Sequence, residues 1–140
     1  MSGYTKYPDT CNLCGGRVIF TTNDTIYGKK YGSGYCYFCT ECKSYVGTHK
    51  DNPKVSMGIL ANPAMRRGKK ACHAKFDVLW NDASLTVAER RKRRKRMYGK
   101  LAHELGIPME ECHFGYFDLK TLVRAYKVLE RWEKDKVQEG

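Results

Sequence analysis

Two cysteine pairs, Cys11-x2-Cys14 and Cys39-x2-Cys42, stand 24 residues apart, and they constrain this chain more than any other feature. A CxxC turn brings two thiolates toward one point while backbone amides after the first cysteine aim at the sulfurs. Two such turns supply the four soft ligands that a tetrahedral zinc ion takes. Gly15 and Gly16 follow Cys14 directly, as the tight turn of such a knuckle requires. The pattern predicts one structural zinc in a small β-ribbon, with Cys11, Cys14, Cys39 and Cys42 as ligands. A rival pair, Cys36-x2-Cys39, shares one cysteine with this set. Cys36 lies between Tyr35 and Tyr37 in a strand-like run, whereas Cys42 leads into Lys43-Ser44, a more turn-like setting. The flanks favour Cys39 with Cys42 and leave Cys36 as a small strand residue.

Seven cysteines is an odd number, and five of them sit in these two clusters. That distribution favours metal over a disulfide framework. A redox CxxC would call for a βαβ context, which the pattern lacks. Cys72 and Cys112 are isolated: Cys72 reads as core, and Cys112 has a second reading as a metal ligand together with His113 and His103. No run of 18 apolar residues exists, and the first ten residues are polar, so neither a membrane span nor a secretory leader is expected. The default expectation is a cytoplasmic protein.

The coarse order is ribbon, helix, helix, helix, an α+β fold in which a zinc-ribbon β subdomain (1–50) packs on a helical part (51–140). Arg17 to Thr22 is rich in β-formers, Thr25-Ile26-Tyr27 is expected to continue the sheet, and Tyr35 to Phe38 reads as a strand entering the second knuckle. Asn62 and Pro63 suit an N-cap and first helical position, giving a helix over about 63–80 with Ala64, Gly68, Ala71, Cys72, Phe76 and Leu79 on its apolar face. Thr86 with Glu89 has capping-box form and opens a helix over about 86–105, with Met97, Leu101, Ala102 and Leu105 inward and Gly106 as its stop. Residues 106–117 read as a connection. Asp118 caps a last helix over about 119–134, with Leu119, Leu122, Val123, Tyr126 and Leu129 on one side and the polar end, Asp135 to Gly140, frayed.

The net charge of +11 is uneven. Residues 61–80 carry +4 and residues 81–105 carry +5, whereas residues 106–140 carry −1. Arg90, Arg91, Lys92, Arg93, Arg94, Lys95 and Arg96 are seven consecutive cations, about two helical turns that are positive on every side. Like charges at i,i+4 repel, so the run costs helix stability, and a chain that needed only solubility would mix in glutamates. Extended basic runs meet polyanions: nucleic acid, a nucleoprotein, or an acidic protein surface. Arg66, Arg67, Lys69 and Lys70 on the preceding helix are expected to enlarge the patch. Bare cations of this kind position a protein on phosphates without reading bases.

The combination of CNLCGG, CTECKSYVGTH (39–49), Gly58 to Ala61 and HAKFDVLW (73–80) resembles a zinc-finger-containing domain family of unknown function found largely in phages and prophages. Tyr98, Leu101, Ala102 and Leu105-Gly106-Ile107 also fit it, so the resemblance covers most of the chain. It implies Cys39 and Cys42 as the second ligand pair. It also suggests an accessory or counter-defence role, such as inhibition of a host nuclease effector of the Cas9 class. The dense basic run departs from the family's pattern. An enzymatic alternative places His49, His73 and Asp77 around a nuclease-like site. Against it, the same three residues can tie the helix to the ribbon. No serine triad, phosphate loop or paired carboxylate motif accompanies them.

Overall fold

The computed structural model describes residues 4–139, with side chains as far as Asp135. The chain divides into two compact units, residues 1–64 and 65–140. It combines a three-stranded antiparallel sheet with four helices.

In the first unit, β1 (Val18–Thr22), β2 (Tyr35–Cys39) and β3 (Tyr45–Gly47) lie in sequence order. Val18 faces Cys39, Phe20 faces Tyr37, and Tyr37 in turn faces Val46. Strand side chains alternate between faces, so Val18, Tyr37, Cys39 and Val46 share one side, where they form a core with Cys11 and Leu60. The chain beyond β3 is held to this core by polar clamps rather than by regular structure. Asn12 donates from Nδ2 to the Leu60 carbonyl (3.0 Å) and accepts the Leu60 N–H at Oδ1 (2.9 Å). The Tyr37 hydroxyl donates to the Lys54 carbonyl, and the buried Ser56 hydroxyl donates to the Gly58 carbonyl.

One expected strand is a helical turn. Asp24–Tyr27 forms α1, which Gly28 closes in the left-handed region at φ 78°, donating to the Asp24 carbonyl at 2.7 Å. The Thr22 hydroxyl donates to Asp24 Oδ1 at 2.6 Å, and this side-chain bond favours a turn over extension at that point. The β-forming residues Thr25-Ile26-Tyr27 therefore leave the sheet, and β2 returns alongside β1 through the 23–34 loop.

The second unit is built from α2 (Pro63–Trp80), α3 (Val87–Leu105) and α4 (Leu119–Glu139). Thr86 caps α3 with a complete capping box: its Oγ1 accepts the Glu89 N–H, and Glu89 accepts the Thr86 N–H. Gly106 ends the helix at φ 69°. Asp118 Oδ1 accepts the Thr121 N–H (2.8 Å) at the head of α4, which continues through the polar stretch to Glu139. Gly140 lies outside the described residues.

The buried faces differ in rotation from the apolar periodicity. On α2 the buried residues are Met65, Cys72 and Phe76. On α4 they are Leu122, Ala125 and Leu129, while Leu119 and Val123 are exposed. At Gly68 the two helices come close: a Cβ there would stand 3.3 Å from Leu122 Cδ1, so the missing side chain leaves room for Leu122 against α2. The connection 106–117 is also more than a link. It forms two short 3-10 turns, Met109–Glu111 and Phe114–Tyr116, that carry Phe114 into the core. Phe114 meets Phe76 at 5.6 Å and Phe117 at 5.8 Å, and Phe76 meets Tyr98 at 4.2 Å.

Candidate metal centre

The four sulfurs of Cys11, Cys14, Cys39 and Cys42 all lie within 4.8 Å of one another. Cys11 Sγ is 3.7 Å from Cys42 Sγ, and Cys14 Sγ is 3.5 Å from Cys39 Sγ. A tetrahedron with zinc–sulfur bonds of about 2.3 Å has edges of about 3.8 Å, so these thiols sit where the ion would draw them together. The knuckles supply the expected amides: Leu13 N–H donates to Cys11 Sγ and Gly16 N–H to Cys14 Sγ, both at 3.3 Å. Cys42 N–H donates to Cys39 Sγ at 3.5 Å, and Lys43 turns the second knuckle at φ 68°. Gly16 is required for another reason: a Cβ there would fall 2.5 Å from Glu41 Cγ.

The buried Ser44 places its hydroxyl oxygen 3.2 Å from Cys42 Sγ. That hydroxyl and the Ser44 N–H hold the Cys42 thiol down to about 6, well below an ordinary cysteine. The Gly16 N–H pulls Cys14 the same way, but the adjacent Cys39 sulfur and burial push it up to about 12. Four thiols in one place thus share their protons unequally, and a cation that replaces those protons resolves the conflict. Four protein thiolates close the coordination shell. Such a shell leaves no open position for substrate or water, so zinc here would supply folding energy rather than chemistry.

Cys36 does not join the cluster, and β2 shows why. Residues 36 and 39 are three apart in an extended strand, so their side chains point to opposite faces. Cys36 is buried on the face away from the metal core. Cys72 and Cys112 are buried too, and burial pushes both thiols up to about 11. They remain protonated packing groups. Among the described residues the four-cysteine set is the only group of three or more side chains placed to hold a metal, which excludes a second site at Cys112, His113 and His103 among these residues.

His49 belongs to the first unit, exposed, with its N–H donating to the Val55 carbonyl at 3.1 Å. His73 and Asp77 share α2 in the second unit. Asp77 Oδ1 accepts the Trp80 indole N–H at 3.1 Å, and the His73 ring packs edge-on against Phe114 at 4.8 Å. Burial lowers the His73 pKa, against the pull of Asp77.

The basic run resolves into two kinds of cation. Arg90 donates to the Leu85 carbonyl at 2.7 Å and to the Asp82 carbonyl at 3.2 Å, tying down the loop before α3. The Arg94 guanidinium lies 5.5 Å over the Trp80 ring and 4.9 Å over the Tyr98 ring, joining α2 to α3. Among the described residues Arg91, Lys92, Arg93, Lys95 and Arg96 have no ion pair. Lys92, Arg93 and Arg96 line an open groove of about 520 Å³ with Leu85, Glu89, Met97 and Lys100. Four cations there face one carboxylate. Lys100 was outside the sequence-based set, although it continues the same helix face four residues beyond Arg96; its ammonium also sits 5.0 Å over the Trp132 ring. On α2, Arg67 and Lys70 are exposed and Arg66 is half-buried. Burial lowers the Lys69 pKa, helped by the neighbouring Arg66 charge.

No helix among the described residues is long and apolar enough to cross a membrane. A family model described as a zinc-finger-containing domain matches residues 7–132. No curated protein and no solved structure shows significant similarity to the chain.

Proposed function

The chain belongs to the family of zinc-finger-containing domains, and on that premise we propose that it is a zinc-stabilised binding module for nucleic acid or a nucleoprotein. In this reading the metal keeps the ribbon folded, and the exposed cations of α3 make the contact. The observation that carries it is the groove of Lys92, Arg93, Arg96 and Lys100, which no acidic partner within the described chain neutralises beyond Glu89. Unpaired cations at i, i+4 and i+8 on one helix face repel each other, and a row of phosphates relieves that repulsion. Leu85 and Met97 add apolar surface to the groove's lining. The phage-type resemblance extends the reading to counter-defence, with a host nuclease effector of the Cas9 class as the nucleoprotein.

Replacing Lys92, Arg93 and Arg96 together by alanine tests the reading by fluorescence anisotropy on duplex DNA and RNA across salt concentrations. The variant is expected to bind at least a hundredfold more weakly at low salt, with a salt slope shallower by about three counterions. Unchanged affinity and slope would assign the run to solvation. Capture from lysate with and without nuclease treatment separates a nucleic-acid partner from a protein one, and added inhibition assays on an effector nuclease decide the counter-defence form.

A further inference from the structure

Neither the metal centre nor α3 accounts for the tyrosines displayed by the loop between β1 and β2. Tyr27 is 50% exposed and Tyr31 is 68% exposed. Their ring centroids lie 5.8 Å apart, and Tyr27 meets the Tyr45 ring edge-on at 6.1 Å. Tyr45 is the register partner of Phe38, over whose ring the Lys43 ammonium sits at 5.7 Å. These residues lie on the side of the sheet opposite the Val18–Tyr37–Cys39–Val46 core.

The loop that carries them is built, not loose. Asn23 is only 4% exposed, and both ends of its amide hold the Tyr31 main chain: Nδ2 donates to the Tyr31 carbonyl at 2.7 Å, and Oδ1 accepts the Tyr31 N–H at 3.0 Å. Gly34 N–H donates to the Tyr31 carbonyl (2.9 Å), and Asn23 N–H to the Gly34 carbonyl (3.0 Å). A buried polar residue is thus committed to fixing the backbone of a tyrosine whose ring is 68% exposed. A preset aromatic surface at the solvent removes part of the ordering cost of binding.

The occupant follows from the chemistry around the rings. Lys29 and Lys30 stand between the two tyrosines, and Lys43 borders Phe38. The nearby Asp24 carboxylate is engaged by the Thr22 hydroxyl. Exposed rings on a loop that also carries two lysines, beside a lysine over a further ring, fit a ligand that offers both aromatic faces and phosphates. A duplex hides its base faces, whereas a single strand exposes them. We propose that this sheet face is a stacking platform for single-stranded nucleic acid, with unpaired bases on Tyr27 and Tyr31 and phosphates at Lys29, Lys30 and Lys43. It is a second site, independent of the α3 groove.

Full-length zinc-loaded protein is titrated into a labelled oligothymidylate of about 15 nucleotides, a length that spans a site of this class, and into a duplex of the same length. The double variant Tyr27→Leu/Tyr31→Leu is expected to lose about tenfold or more in single-strand affinity per tyrosine. Its duplex affinity stays unchanged, and Tyr27→Phe/Tyr31→Phe keeps single-strand affinity. Bound zinc and melting temperature report whether each variant folds. Should the leucine pair misfold, Lys29→Glu/Lys30→Glu takes its place, with the same selective loss expected. Single-strand binding that is absent, or insensitive to these changes, overturns the proposal. So does a leucine variant that keeps the oligonucleotide but loses a protein partner. The Lys92/Arg93/Arg96 alanine variant separates the two sites: failure of the α3 reading appears on the duplex, and failure of this one appears only in the tyrosine dependence.

Discussion

The two units reach order by different routes. The first gathers Cys11, Val18, Tyr37, Cys39, Val46 and Leu60 on one side of its sheet, two of them cysteines placed to hold a metal, and its remaining chain is held by polar clamps such as Asn12 on Leu60. The second has a contiguous aromatic core of Phe76, Tyr98, Phe114 and Phe117, with helix faces from α2, α3 and α4 around it. A unit of some 60 residues whose core includes metal-site cysteines is expected to lean on a bound metal, whereas a helical unit built around packed rings is expected not to. The contrast teaches that one short chain can contain a ligand-dependent fold and a packing-dependent fold, each with its own vulnerability.

Removing the metal should break the comparison most forcefully. Chelation, or Cys39→Ser, is expected to melt the sheet unit almost completely, because structural zinc sites contribute on the order of 10 kcal/mol at neutral pH. Helical circular dichroism from α2, α3 and α4 should persist. A single cooperative loss of all structure on chelation would erase the distinction. The reciprocal change is smaller. Phe76→Ala, at a fully buried position, should cost the helical unit about 3–5 kcal/mol and leave zinc stoichiometry unchanged; calorimetry with metal analysis measures both. The smallest effect tests a local device. Thr86→Ala removes the α3 cap and should cost about 1 kcal/mol. The Thr86 N–H and hydroxyl also hold the Glu89 carboxyl below its ordinary value. The box is therefore complete above the ordinary glutamate range and weakens as pH falls through the depressed value. Thr86→Ala keeps that N–H, so Glu89→Ala reads the titrating half of the box: its deficit should shrink on acidification, and a pH-independent deficit would contradict the box.

The sequence was most informative where chemistry is local. The knuckle spacing, the Thr86–Glu89 box, the Asn62-Pro63 start and the Asp118 cap each concern groups within a few residues, and each has its counterpart in the fold. It was least informative where distant groups decide. Periodicity placed Leu122 and Leu129 of α4 inward correctly but also Leu119 and Val123, which are exposed, and it does not show that Leu122 meets Gly68, more than 50 residues away. Phe114 and Phe117 carry no periodic signal because they reach the core from short turns. Thr25-Ile26-Tyr27 has strand composition, yet an Asp24 side-chain bond and a left-handed glycine turn it. The run Arg90–Arg96 read as uniform, but Arg90 and Arg94 are spoken for by carbonyls and rings that no one-dimensional pattern places beside them.

The alternation of β2 has a consequence for assembly. Before β1 and β2 pair, the chain offers two four-thiolate sets that share Cys11, Cys14 and Cys39, one completed by Cys36 and one by Cys42. Both satisfy an ion; only the second is compatible with the sheet, since Cys36 must turn away when Tyr37 enters the core. Strand pairing thus removes Cys36 from the choice: a chain that pairs β1 with β2 has only Cys42 left to complete the thiolate set.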